Sequence, residues 1–498
     1  MTKWIKKHQT EAFFLIALLI LASFLRFWRL PEYMTFLGDE GRDALIVKKI
    51  LVDHDFPLIG PPTSVGNMYL GPLYYYMMAV PMAIFWMNPA AAAGLNALIG
   101  VGTVFLIYYL GRRWFGSIAA AAAATLYAIS PVTIIYSRSS WNPNPAPFFA
   151  LLALLGFDRA RQKRDFRWLV LSGAALAFAV QMHYLALILL PVFTLYWLNE
   201  LVEKLRGMEG DYFWRGSILA IAAFLLLMSP LVIFDFRHRF INYRAMSAFF
   251  SSTQTSSDLG ISSAQRVWAL YQNDLVSRYM AGGNKMLTPV LAILILLPLS
   301  LIIGSKIKRD KKWPYKALGA WMVVGMVGLS AYRQAIYDHY LGFVNPAPYL
   351  LLAATLSCLK KYWQLGAALV LLLIVGFVNL QKSPLFTAPN NQLHRTQQVS
   401  QFIIRESENQ PFNFALLSQN NYDAAYQFYL WLYGHKPLQV HETVTDQLFV
   451  VCEDPVCHPV GNPKDEIAAF GMTKIDKTFE IFGVKVYKLI HNPTGTPG

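Results

Sequence analysis

Phe36-Leu37-Gly38-Asp39-Glu40-Gly41-Arg42-Asp43 follows closely on an apolar run over residues 12–28. Two adjacent carboxylates just past a stretch able to cross a bilayer point to chemistry at a membrane surface. Their meaning depends on how many such stretches follow and on which side the pair emerges.

Of the 498 residues, 55% are hydrophobic and 14% charged, with a positive mean hydropathy. That balance is too apolar for a soluble globular chain of this size. The formal net charge is +14, but the lysines and arginines fall in short clusters between apolar runs. They read as topology signals and not as a nucleic-acid-binding face. Lys3, Lys6 and Lys7 precede the first run and no small-residue cleavage pattern follows it. Residues 12–28 are therefore expected to be a retained first span with a cytoplasmic N-terminus.

Further candidate spans cover residues 92–110, 117–136, 145–157, 168–183, 185–198, 218–234, 287–303, 318–332, 341–359 and 363–380. With the first, the total is about eleven. The apolar piece 73–86 decides the parity. If it does not cross, Arg112-Arg113, the cluster 159–167, the cluster 306–316 and Lys360-Lys361 all face the cytoplasm; if it crosses, all lie outside. Basic residues in short loops favour the cytoplasm, so 73–86 is expected to be re-entrant or interfacial, which suits Tyr74, Tyr75, Tyr76 and Pro81.

The external segments are then 39–70, 137–144, the turn at His183-Tyr184, 235–286, 333–340 and everything after Gln381. From about residue 385 the pattern changes to strand-like pieces at 412–417, 448–451 and 482–489, with helical patterns at 399–407 and 424–433. The expected architecture is an α-helical polytopic membrane domain, residues 1–384, followed by a small extracytoplasmic α/β domain, residues 385–498. Cys452 and Cys457 could pair on an oxidising side or remain thiols. Cys358 is expected to pack at a span end.

A carboxylate on the external face can act as a general base toward a hydroxyl acceptor. Asp39 is the leading candidate, with Glu40 assisting or orienting; the competing reading has both merely capping a helix that begins near Arg42. Asp43 and Asp53 read as solvated helix residues. Lacking a nucleotide-binding glycine loop, the chain would take a lipid-phosphate-linked sugar, whose phosphate needs cationic or hydrogen-bonding groups near headgroup level. Arg42, Arg138, His183, Tyr184, Arg333, His339 and Tyr340 are available there. Each also has a plain structural reading, such as a snorkelling arginine or a buried satisfied histidine.

Gly38-Asp39-Glu40-Gly41-Arg42, Gly71-Pro72-Leu73-Tyr74-Tyr75, Gly111-Arg112-Arg113-Trp114-Phe115-Gly116, Ser137-Arg138 and Asp338-His339-Tyr340-Leu341, in this order after a first span, resemble the GT-C superfamily of polyprenyl-phosphate-dependent glycosyltransferases. More narrowly the chain is similar to the protein O-mannosyltransferase and lipid A aminoarabinose transferase group. The resemblance covers the membrane part to about residue 359. It implies a GT-C fold with interfacial helices in the first external loop. It further implies inverting transfer of a sugar from an isoprenoid phosphate at the outer face of the cytoplasmic membrane, with Asp39 and Glu40 at the catalytic centre. Tyr74, together with the basic and aromatic groups above, would bind substrate. Neither a nucleotide nor a divalent metal is implied. The partners are the lipid donor, the membrane and an acceptor glycan, lipid or protein.

Two departures stand out. Relatives carry a lysine, assigned to the lipid phosphate, where this chain reads Leu70-Gly71-Pro72. They also show an aspartate after the Ser-Arg pair, where Ser139-Ser140-Trp141-Asn142-Pro143-Asn144 stands here. Asn142 or Asn144 could bind sugar hydroxyls but not act as a base, and Trp141 could stack on a sugar ring. A lipid-linked oligosaccharide ligase or polymerase, and a transporter or flippase, are the competing classes. Few charges in the middle of the spans and no paired broken helices weigh against transport.

Overall fold

Each apolar run read as a span is helical in the computed structural model, which describes residues 8–66, 68–205, 212–251, 263–303, 312–332 and 334–492. The chain is mostly helical, at 68%. Among the described residues five helices are long and apolar enough to cross a bilayer: Gln9–Phe27, Pro89–Phe115, Tyr184–Leu205, Tyr212–Arg237 and Lys361–Gln381. A bent pair, Ser117–Ile129 and Pro131–Ser137, makes a sixth if counted as one span. The other runs form shorter or less apolar helices, Ala146–Lys163, Arg167–Met182, Leu287–Ile303, Trp313–Ala331 and Pro346–Ser357. Exposed apolar faces, such as Ile218, Ile221, Leu225 and Leu226 on one helix and Leu369, Leu373 and Phe377 on another, are what a lipid-facing surface requires.

The bend departs from the single span expected over 117–136, and its cause is local. Pro131 forces Ser130 into an extended conformation (φ −62°, ψ 125°) and starts the next helix at its first position. The chain turns by 62°. Of the carbonyls near the break, that of Ala128 accepts from the buried Arg26 at 3.1 Å and that of Tyr127 from the Thr133 hydroxyl at 2.7 Å, while Arg26 also reaches the hydroxyls of Thr133 and Ser137. Unsatisfied backbone groups at this depth would be costly.

At the opposite end of the helices a basic rim is neutralised. Arg112 pairs with Glu11, Arg113 with Asp158 (3.2 Å), and Arg161 and Arg164 with Glu200. These are the basic clusters that set the parity of the spans. The cluster 306–316 is described only from Lys312 on, and Lys3, Lys6 and Lys7 lie outside the described residues.

The piece 73–86 is a helix, Leu73–Ile84, that buries Tyr74, Tyr75, Met78 and Met82 while Val80, Ile84 and Trp86 stay exposed. It packs against Pro89–Phe115 and against the helix Gly38–Lys48. The loop between them folds back on itself, Gly60 N–H donating to the Leu70 carbonyl (2.7 Å) and Leu70 N–H to the Pro61 carbonyl (3.0 Å).

Beyond Lys361–Gln381 lies the α/β part. Strands β1 (Asn413–Leu417), β2 (Gln447–Cys452), β3 (Thr473–Ile481) and β4 (Val484–His491) form one sheet in the order β1-β2-β4-β3, parallel between β1 and β2 and antiparallel elsewhere. β1 and β2 are wholly buried, hence their apolar runs. β3 is a largely exposed edge strand with no such run in its sequence. Helices Gln392–Glu406 and Ala424–Leu432 pack against each other. Cys452 and Cys457 are bridged, their Cα atoms 6.1 Å apart. Cys358 is a free thiol and exposed, contrary to the packing role expected for it.

Candidate active site

The helix Gly38–Lys48 begins one residue before the acidic pair, so Asp39 and Glu40 both occupy its first turn, where the macrodipole favours negative charge. They then part. Glu40 turns inward, 6% exposed, and its carboxylate accepts the Leu37 N–H at 3.1 Å, which is the capping role. Burial pushes its pKa up to about 7 against the opposing pull of that hydrogen bond. Asp39 faces outward, with 41% of its side chain exposed, and lines a cavity of about 180 Å³.

That cavity brings together residues from five separate parts of the chain. Asp39 and Arg42 come from the first helix after the membrane, and Trp141 and Asn142 from the loop following the bend. His183 and Tyr184 come from the break before Leu189–Leu205, and His339 and Tyr340 from the turn Asp338–Leu341. Ser64 of the folded-back loop completes the wall, its hydroxyl 3.1 Å from that of Tyr184 and 3.3 Å from that of Tyr340. The Trp141 and His339 rings meet with centroids 4.3 Å apart. Asn142 donates to the Met182 carbonyl at 2.7 Å.

The charge balance is unusual. Arg42 is the one lysine or arginine that lines the cavity among the described residues, and it is already shared. Nη1 lies 2.8 Å from Asp39 Oδ1, and Nη2 lies 2.7 Å from Asp43 Oδ1. Burial opposes its charge, but Asp43, Tyr75 and Asp39 outweigh that and hold its pKa raised. Asp43 is thus not a solvated residue as expected. It is 2% exposed, and burial raises its pKa to about 6 despite Arg42. Asp53 is exposed, as read. Burial lowers His339 to about 4, opposed by Asp39, and burial with the neighbouring His339 holds His183 well below the ordinary range. Both imidazoles are uncharged near neutral pH and can donate or accept hydrogen bonds without acting as cations.

Two residues expected to bind substrate sit elsewhere. Arg138 is buried under Tyr33 and donates to the carbonyls of Leu25 (3.4 Å) and Trp28 (2.7 Å), tying off the end of the first helix. Tyr74 is buried, its hydroxyl 3.0 Å from that of Ser140 and within 3.4 Å of Asn96 Nδ2. Arg333 lies outside the described residues. Asn144 donates to the Ser139 carbonyl and does not line the cavity. Among the described residues no three His, Cys, Asp or Glu side chains converge as a metal-ligand set.

One contact had not been read from the sequence. Tyr422, in the α/β part, donates its hydroxyl to Asp39 Oδ1 at 2.9 Å. The tight seat is possible because residues 38 and 41 are glycines one helical turn apart. A Cβ at Gly38 would fall 2.2 Å from the Tyr422 ring, and one at Gly41 would fall 2.2 Å from the Ala425 nitrogen. Small residues at helical spacing are the trace such close approach leaves in a sequence.

The family model described as dolichyl-phosphate-mannose-protein mannosyltransferase matches residues 70–234, which include the helix Leu73–Ile84, Trp141, Asn142 and His183. A Bacillus subtilis (strain 168) relative named "Putative mannosyltransferase YycA" is 30% identical over 141 residues, 28% of this chain and 21% of its own length. The chain thus spans about a fifth of that relative. Among solved structures, ArnT from Cupriavidus metallidurans bound to undecaprenyl phosphate superposes with a TM-score of 0.59 at 15% identity, covering 99% of each chain. The Archaeoglobus fulgidus oligosaccharyltransferase in its apo form gives 0.56 at 14% identity, over 86% of this chain and 64% of that one. At these identities the likeness speaks to architecture, and it extends over both the helical part and the α/β part. The chain carries several helices able to cross a membrane, as a multi-pass membrane protein requires, and it shares its fold with the ArnT and oligosaccharyltransferase structures.

Proposed function

We propose that this protein transfers a sugar from a polyprenyl phosphate to an acceptor hydroxyl or amine at the outer face of the cytoplasmic membrane, with inversion at the sugar carbon. The observation that carries this reading is the junction of two unlike cavities. The polar pocket holding Asp39 shares Leu70 and Tyr184 with an apolar groove of about 240 Å³ lined by Met68, Val180, Leu187, Leu231 and Val232. A donor with a charged, sugar-bearing head on a hydrocarbon chain needs such a pair.

In this mechanism Asp39 accepts the acceptor's proton as the acceptor atom attacks the anomeric carbon, and the polyprenyl phosphate leaves. Negative charge growing on the phosphate is met by Arg42 and by the hydroxyls of Ser64, Tyr184 and Tyr340, with N–H groups of the neutral imidazoles. This replaces the lysine missing at Leu70-Gly71-Pro72. Trp141 offers a flat face to the sugar. Residues 1–384 form the catalytic membrane domain and 385–498 an extracytoplasmic domain. The ion-paired rim at Arg112, Arg113, Arg161 and Arg164 supports placing that end in the cytoplasm, with the N-terminus.

The reading is tested by incubating purified protein with polyprenyl-phosphate mannose, glucose and aminoarabinose and measuring released polyprenyl phosphate. Release from at least one donor is expected, whereas inertness toward all of them, alongside transport of intact lipid-linked sugar across vesicles, would favour a flippase.

A further inference from the structure

The α/β domain is held against the catalytic helix by more than surface packing. Gly38 N–H donates to Asn421 Oδ1 at 2.8 Å, and Asn421 Nδ2 donates to Glu453 Oε2 at 2.8 Å. Glu453 in turn accepts from Tyr426 (2.7 Å) and Arg395 (3.0 Å) through its other oxygen. Glu453 directly follows β2, so the chain of bonds runs from the sheet to the first residue of the helix that bears Asp39. Phe36 adds edge contacts to Phe428 and Tyr429, at 6.2 and 5.7 Å between centroids. This buttress places the Tyr422 hydroxyl against the carboxylate.

Both donors to Asp39 meet the same oxygen. Arg42 Nη1 and Tyr422 Oη are each bonded to Oδ1, and no bond from the described residues reaches Oδ2. A carboxylate gripped on one oxygen presents the other in a fixed direction.

We propose that Tyr422 is a positioning residue for the transfer reaction, so that the extracytoplasmic domain supplies part of the active site by orienting Asp39 with Oδ2 free for the acceptor hydroxyl. The inference rests on the assignment of Asp39 as the base. Loss of the Tyr422 donor leaves Oδ1 held by Arg42 alone and the carboxylate less constrained in direction.

The test uses the full-length protein in detergent with the polyprenyl-phosphate sugar that turns over fastest in the donor panel, reading released polyprenyl phosphate. In Tyr422→Phe the ring still fills the seat on Gly38. We expect kcat to fall about tenfold with KM within about threefold. In an Asp39→Asn background the same substitution should cause no further loss. Gly38→Ala, which keeps every hydroxyl but obstructs the ring, should reproduce the fall in kcat at near-constant KM and serves if Tyr422→Phe fails to fold. An unmoved kcat, or an equal loss with and without Asp39, overturns the positioning role. Full activity of Asp39→Asn alone would instead overturn the base assignment beneath it.

Discussion

Arg42 reaches back one helical turn to set Nη1 2.8 Å from Oδ1 of Asp39, forming the charged rim of the pocket. The same guanidinium holds the buried Asp43, so one side chain serves both the candidate base and the stability of its helix. Arg42→Lys keeps the charge but loses the fork that spans two carboxylates. Transfer should fall about 10- to 100-fold with the fold intact. Arg42→Gln strands Asp43 without its partner and should also destabilise the protein by roughly 3 kcal/mol. Donor-release kinetics and thermal unfolding in detergent separate the two effects.

Glu40 gives a prediction about pH. Its folded pKa of about 7 lies above the ordinary 4.5, so the folded state binds the proton more tightly than the unfolded chain. Stability should therefore fall as pH rises from about 4.5 through about 7 and level off above that. Glu40→Gln can keep the hydrogen bond to Leu37 while removing the titration. The variant should retain transfer, lose that pH slope, and be the more stable form at pH 8 by at most about 2 to 3 kcal/mol. Unfolding midpoints measured from pH 5 to 8 check this.

Trp141 and His339 form the aromatic wall of the pocket. Trp141→Ala should raise the donor KM about three- to tenfold and change kcat less, since a stacking face binds ground state and transition state alike. Steady-state kinetics with varied donor decide it.

Sidedness is open to chemical labelling in a Cys358→Ser background, because Cys358 is the exposed free thiol. A membrane-impermeant maleimide applied to intact cells should label a cysteine replacing Asp55, exposed in the segment that leads to Ser64, and spare one replacing Lys163, exposed at the opposite, ion-paired end. The reverse pattern would place the basic rim outside.

The helical architecture was legible because a membrane span writes itself as a long apolar run, and each such run is a helix here. The bend at Ser130 was legible too, in the restriction that Pro131 puts on its neighbour, but it was read over as one span. Gathering Asp39, Asn142, His183, His339 and Tyr340 required only the parity of spans, which put all five on one side. The fates of Arg138 and Tyr74 depended on backbone carbonyls and side chains that sequence does not place nearby, so their structural use was invisible. Asp43 was misread because an acidic residue on a short helix is usually solvated, and nothing local told of Arg42 folding over it. Tyr422 lies 383 residues from Asp39, and only the glycines at 38 and 41 hinted that another segment would press against that helix.

Asp39→Asn measures the central claim most directly, since the amide keeps size and shape but cannot take a proton. With unfolding behaviour unchanged, the account predicts loss of sugar transfer from the polyprenyl-phosphate donor by about two to four powers of ten. Transfer at the unmodified rate by the folded variant would contradict it.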